Sequence, residues 1–348
     1  MTVATAAEEA LMDSLRRMNV EAIAQPTALA GGGNNRVYRV DTAAGPVLVK
    51  RYFRDSADPR DRLRTEFEFL QFAWSFGVRC VPRPIARDDA LGIACYEFIE
   101  GKRLAPGEVG RDSVRQAMDF CQRLQSLRDT PGAKGLSGAS EACFCLGDHI
   151  KCVESRVERL KKPAGDEAVR REVIEFVFTC LIPAWRVVRG RMLDEADRED
   201  WPLDHPLSPA ERCLSPSDFG FHNALRQSNG RLRFIDFEYA GWDDPAKLVC
   251  DFFCQPQVPV SMEHFSTFAA AAAGSICDAG EHLRRVTSLL AVYRVKWCCI
   301  MLNVFLPDGG RRRRFAQADG ESLRVQQRKQ LDKAVRLYRR IAVEFLDG

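Results

Sequence analysis

The chain has 348 residues with 51 Lys+Arg against 48 Asp+Glu, a net charge of +3, which excludes the strong basic excess of a dedicated nucleic-acid binder. Its 46% hydrophobic and 28% charged residues exclude a disordered chain, and at about 100–200 residues per domain two lobes are expected. The N-terminus has no apolar h-region, apolar runs such as 265–273 fall short of the ~20 residues of a membrane span, and thirteen irregularly spaced cysteines suit free thiols better than a disulfide framework. The expectation is a cytoplasmic protein with neither nucleic acid nor membrane as partner.

In chain order, residues 5–24 predict an amphipathic helix, with Leu11, Leu15, Met18 and Ile23 at roughly helical spacing. A glycine cluster, Gly31-Gly32-Gly33-Asn34-Asn35, precedes Val37, Tyr38 and Val40. Gly45-Pro46 then marks a turn into Val47-Leu48-Val49-Lys50. That is two short strands joined by a turn. Leu63, Phe67, Leu70 and Trp74 predict a helix over 61–76, which Val81-Pro82-Arg83-Pro84 closes. Residues 91–99 read as a buried strand. Residues 25–100 therefore form a small α+β lobe. Helical patterns dominate from Asp112 onward, except near 214–240, where the Asn229-Gly230 turn predicts a strand. The lobe boundary falls near 101–107, giving residues 1–100 and 101–348.

The chemistry concentrates between 214 and 245. Asn223 follows Asp218 by five residues, and Asp236 follows Asn223 by thirteen. A strand-turn-strand between Asn223 and Asp236 would bring the three polar side chains to one mouth. Two carboxylates and an amide oxygen suit Mg²⁺, which takes hard oxygen ligands and keeps places for phosphate oxygens. A spare carboxylate there can orient or deprotonate an attacking hydroxyl.

This segment resembles the catalytic core of the aminoglycoside phosphotransferase and choline kinase superfamily. The family pattern H-G-D-x-x-x-x-N followed by I-D-F/W-E aligns with Pro216-Ser217-Asp218 through Asn223 and with Ile235-Asp236-Phe237-Glu238. The resemblance implies a two-lobed protein-kinase-like α+β fold, with an antiparallel sheet in the small lobe and a mainly helical large lobe. It implies Asp218 as catalytic base, with Asn223 and Asp236 as Mg²⁺ ligands. It further implies a nucleotide loop at Gly31, Gly32, Gly33, Asn34 and Asn35, where glycines let the backbone approach a triphosphate. Lys50 would hold the phosphates of ATP, with Glu66 rather than Glu68 as its ion-pair partner. The backbone at Glu97 and Ile99 would meet adenine. The implied reaction moves the γ-phosphoryl of Mg·ATP to a hydroxyl of a small molecule. A sugar or other metabolite ranks first, a choline-like amine second and an aminoglycoside third.

Pro216-Ser217 stands where the family has His-Gly, so a nucleotide-binding regulatory pseudokinase is the alternative reading. A protein kinase is a further one, disfavoured because no A-P-E segment follows. Cys143, Cys145, His149 and Cys152 invite a zinc reading, but their spacing is not that of a zinc finger and buried free thiols are common. The basic run 311–314 reads as a solvated loop. Trp242 and Trp297 are candidates to line an acceptor pocket, although core packing is the first reading for Trp297 and Tyr293. Glu238 is open between a metal or acceptor role and the surface. Asp251 is expected to support the catalytic loop, and His222 to be structural.

Overall fold

The computed structural model describes residues 3–29, 35–56, 58, 60–274, 276–307, 315 and 322–346. Gly31, Gly32, Gly33, Asn34 and the run 311–314 lie outside the described residues. Helix α1 (Val3–Arg17) turns Leu11 and Leu15 inward. It ends earlier than its periodicity predicts, because Asn19 takes a left-handed φ of 55° and turns the chain. Ile23 is therefore not a helix-face residue. It is 68% exposed, and its N–H donates to the Asp41 carbonyl.

Strands β1 (Thr27–Leu29), β2 (Arg36–Thr42), β3 (Gly45–Arg51), β4 (Pro84–Asp88) and β5 (Ile93–Glu97) form an antiparallel sheet in the order β1-β2-β3-β5-β4. The β2–β3 turn falls at 43–44, with Gly45 at φ 111°. Pro46 already lies inside β3, one residue before β3 begins to pair with β5, where a missing N–H breaks no β5 ladder bond. α1 covers one face of this sheet in a small core of Leu11, Leu15, Val40, Val49 and Ile93. Helix α2 (Arg62–Ser75), capped by the Asp61 side chain, inserts between β3 and β4 in sequence. Its Phe69, Leu70 and Ala73 enter a larger core that runs on into the rest of the chain.

By residue 102 the chain has left the sheet. β6 (Lys102–Arg103) pairs with β7 (Ala224–Arg226), which forms a hairpin with β8 (Leu232–Phe234) across the predicted turn, Gly230 having φ 81°. Two further short strands, Cys213–Ser215 and Gly241–Asp243, flank that hairpin in sequence and pair with each other. Helices α3 (Arg111–Gln125), α4 (Pro131–Lys134), α5 (Leu146–Arg159), α6 (Glu167–Phe176), α7 (Ile182–Arg198), α8 (Pro245–Cys254), α9 (Phe265–Ala273), α10 (Ala279–Met301) and α11 (Leu323–Ile341) make up the remainder. α10 packs against α5, α7, α8, α9 and α11. It is long and apolar enough to cross a membrane, but most of it is buried among these helices, as a core helix is. All thirteen cysteines are free thiols.

Candidate active site

Strand alternation puts Lys50 and Tyr52 on one face of β3, toward α2. There the Lys50 Nζ donates to both carboxylate oxygens of Glu66, at 2.9 and 2.8 Å, and to Asp236 Oδ1 at 2.6 Å. Glu66 also accepts from the Tyr52 hydroxyl at 2.6 Å and from the Phe237 N–H at 3.3 Å, so its buried carboxylate is fully engaged. Glu68 instead pairs with Arg64 and Arg87 near the surface. Burial works against the Lys50 charge, but Asp236, Glu66 and Glu238 outweigh it and hold its pKa well above the ordinary lysine value. Tyr52 is the residue that motif reading passes over. Its place two residues after Lys50 on a strand is the signal that finds it.

Asp236 arrives at Lys50 through a backbone constraint. The Ile235 N–H donates to the Asn223 carbonyl at 2.9 Å, extending the β7–β8 register, and Asp236 then takes a left-handed φ of 71°. An aspartate held there costs about 1–2 kcal/mol, a strain of the kind that collects at functional sites. Ser217 does the same on the other loop, with φ 65°. It occupies the glycine place of the family pattern, and its left-handed φ is one that glycine adopts freely.

Asp218, on the loop before β7, is partly open, its side chain 35% exposed. The Asn223 Nδ2 donates to the Asp218 carbonyl at 3.0 Å, and the His222 Nε2 lies 3.2 Å from Asp218 Oδ1. Burial would raise the Asp218 pKa, but His222, then the Asn223 amide and the more distant Lys296, hold it below the ordinary carboxylate value. Asp218 is thus an ionised acceptor, fit to orient a hydroxyl proton. Because Asn223 commits its Nδ2 to the loop, Oδ1 is the atom it can offer a cation. With the Asp236 carboxylate this makes two hard oxygen donors. Among the described residues no group of three or more His, Cys, Asp or Glu gathers around a point. One or two protein oxygens completed by phosphate and water suit Mg²⁺.

Asn35 is buried, its Oδ1 accepting from the Phe53 N–H at 3.2 Å and its Nδ2 donating to Glu238 at 2.6 Å. It ties the entry of β2 to the segment 235–238. Glu238 is accordingly 2% exposed, which overturns its surface reading. Burial and Asp236 push the Glu238 pKa up, against Lys50 and Asn35. At the end of β5 the Glu97 N–H is taken by the Arg83 carbonyl at 2.8 Å. Of its backbone groups, only the carbonyl is left for a ligand. Ile99 follows it in a buried position.

The zinc reading is corrected, and core packing, the first reading for Trp297 and Tyr293, is what the structure shows for both. Both ring nitrogens of His149 are occupied, by the Tyr293 hydroxyl at 2.7 Å and by Asp244 at 3.0 Å. Trp242 donates to the Ala133 carbonyl at 2.9 Å and belongs to the short strand Gly241–Asp243. Trp297 donates to Asp251 at 3.0 Å and stands edge-on to the His222 ring. Asp251, bound also by Lys296 at 2.8 Å, therefore reaches the catalytic loop through Trp297.

The family model of the phosphotransferase enzyme family matches residues 26–254. No curated protein sequence matches. Among solved structures, spectinomycin phosphotransferase APH(9)-Ia, in complex with ADP and spectinomycin, superposes with a TM-score of 0.62 at 13% identity, covering 94% of this chain and 97% of that one. A choline/ethanolamine kinase family protein from Mesorhizobium loti gives 0.58 at 15% identity, with 97% and 98% covered. The choline kinase LicA from Streptococcus pneumoniae gives 0.55 at 17% identity, with 95% and 99% covered. At these identities the likeness is one of fold.

Proposed function

This chain belongs to the phosphotransferase enzyme family, and from that premise we propose that it transfers the γ-phosphoryl of Mg·ATP to a hydroxyl of a small metabolite, a polyhydroxy compound first. The observation that carries this reading is the Lys50 ammonium shared between Glu66 and Asp236 at 2.6–2.9 Å, with Ile235, next to Asp236, bonded at 2.9 Å to the Asn223 carbonyl of the Asp218–Asn223 loop. In this reading Lys50 binds nucleotide phosphates. Asp236 and the Asn223 Oδ1 hold Mg²⁺, which supplies charge neutralisation at the transferring phosphoryl group. Asp218 orients the acceptor hydroxyl and takes its proton. Positioning and electrostatics supply most of the rate. The Glu97 carbonyl and the Ile99 N–H serve adenine, and the loop with Gly31, Gly32, Gly33 and Asn34 approaches the phosphates. Residues 1–100 form the nucleotide lobe and 101–348 the acceptor lobe, in a cytoplasmic enzyme.

The ranking of acceptors rests on what the candidate recognition groups already do. Trp297 is buried in the helical core with its N–H on Asp251, which takes one aromatic face from a cage for a quaternary amine. Asp243 is paired with Lys247, and Asp244 with Arg285 and His149, all buried. They line no acidic pocket for a polycationic antibiotic. A screen of ADP release from Mg·ATP against sugars and polyols, choline and ethanolamine, and aminoglycosides tests the reading. Turnover with a polyol supports it. Turnover only with a peptide would replace it with a protein kinase, and ATP binding without any turnover would favour the pseudokinase.

A further inference from the structure

The His222 ring is seated with more care than a loop histidine needs. It is 8% exposed, its carbonyl accepts from Arg103 at 2.9 Å, and the Trp297 ring stands edge-on to it with centroids 6.5 Å apart. Trp297 is itself fixed by Asp251. Against the ring also lies Gly220, whose backbone is extended, so no special φ requires glycine there. A Cβ at 220 would instead stand 2.8 Å from His222 Nδ1 and 3.0 Å from Cε1. Glycine at 220 makes room for the ring. Among the described residues Nδ1 has no hydrogen-bond partner, while Nε2 lies 3.2 Å from Asp218 Oδ1. A carboxylate only accepts, so the hydrogen sits on Nε2.

We propose that His222 is a positioning residue, whose Nε2–H fixes the Asp218 carboxylate in the orientation that receives the acceptor hydroxyl. The inference rests on the kinase reading above. It goes beyond it in assigning an orienting histidine four residues after the base, in a chain that carries Pro216 where the family pattern has its histidine. Gly220 and Trp297 act through the ring they hold.

The test is a double-mutant cycle on ADP formation from Mg·ATP, with the acceptor that the screen returns, or with water if it returns none. Each variant is checked by its affinity for Mg·ATP, which also shows that it is folded. His222→Ala should lower kcat by about ten- to a hundredfold, the cost of a displaced catalytic group, while the affinity for Mg·ATP changes less than about twofold, since His222 touches neither Lys50 nor Asp236 in this arrangement. His222→Gln, which returns an N–H near the Nε2 place, should recover most of kcat. Gly220→Ala should reproduce the loss by displacing the ring. In an Asp218→Ala background, His222→Ala should cost less than about twofold, because the group it positions is gone. An equal loss in both backgrounds, or no recovery in His222→Gln, overturns the proposal and makes His222 a packing residue. Full turnover by Asp218→Ala alone overturns the base assignment itself, which is a separate and recognisable result.

Discussion

Lys50 bonds Glu66 and the partly exposed Asp236 directly and is held charged also by the buried Glu238. Removing it leaves them uncompensated. Lys50→Ala is expected to lower turnover by about 10²–10³-fold, as loss of a preorganised electrostatic group does, and to destabilise the fold by about 3–5 kcal/mol. ADP release and urea unfolding on the same variant check both. Ser217 gives a prediction of opposite sign. Its left-handed φ of 65° is one that glycine adopts without penalty, so Ser217→Gly should leave stability unchanged or raise it by up to about 1 kcal/mol in urea melts. At this scale the sequence carried the charged residues well. Asp218, Asn223 and Asp236 announce themselves by type and spacing, and the family resemblance adds Lys50 and Glu66, which the structure pairs. The partners that hold them did not. Asn35 meets Glu238 across 203 positions, and His222 meets Asp218 through a turn whose path depends on a missing Cβ at 220. Spacing does not encode such contacts.

Among the elements, those with strong periodicity were legible: the β2–β3 pair, α2, β5, and the strand after Asn229-Gly230. Boundaries were less so. α1 ends at Arg17 because Asn19 turns left-handed, which apolar spacing does not reveal. The short strand Gly241–Asp243 shows how closely elements are fitted. The loop 137–140 lies along it, with Ala139 donating to the Trp242 carbonyl at 2.8 Å and Trp242 to the Ser137 carbonyl at 3.0 Å. Gly241 takes φ 156°, and a Cβ there would meet the Ser137 carbonyl at 2.4 Å and the Ala139 nitrogen at 2.7 Å. Both are backbone atoms and cannot swing aside. Gly241→Ala should therefore separate loop and strand and lower stability by about 1–3 kcal/mol, the range for overpacking. Thermal melts and amide exchange at 139–140 measure it. A variant as stable as the parent would show that this loop yields easily.

Across the whole molecule, one large apolar core runs from α2 and β5 to α11, and a smaller one lies under α1. Beside the large core stands a layer of buried charge: Asp243 with Lys247, Asp244 with His149 and Arg285, and Asp251 with Lys296. His282, 3% exposed, adjoins this layer without a charge partner of its own. Burial, helped by Arg285 and opposed by Asp244, depresses its pKa to about 4. An imidazole depressed from about 6.5 is neutral in the folded protein and binds a proton more readily when unfolded. Stability is then full above pH ~6.5 and falls by up to about 3 kcal/mol as pH drops toward ~4. His282→Gln should flatten that limb of the stability–pH curve, read from denaturant melts between those values. The two-lobed α+β expectation held for the whole chain because hydrophobic pattern and motif order are both global signals. The acceptor did not follow, since a fold shared by choline kinases and antibiotic kinases does not select among acceptors, and Trp297, one of the two aromatic candidates, is buried against Asp251. The central proposal is that Asp218 acts on an acceptor hydroxyl while Lys50 and Asp236 hold Mg·ATP. The most direct measurement follows label from γ-³²P-ATP into a small-molecule acceptor, for the parent and for Asp218→Ala at matched nucleotide occupancy. The account predicts label transfer by the parent and a loss of at least about 10²-fold in the variant, with Mg·ATP still bound. Equal transfer by both proteins would contradict it.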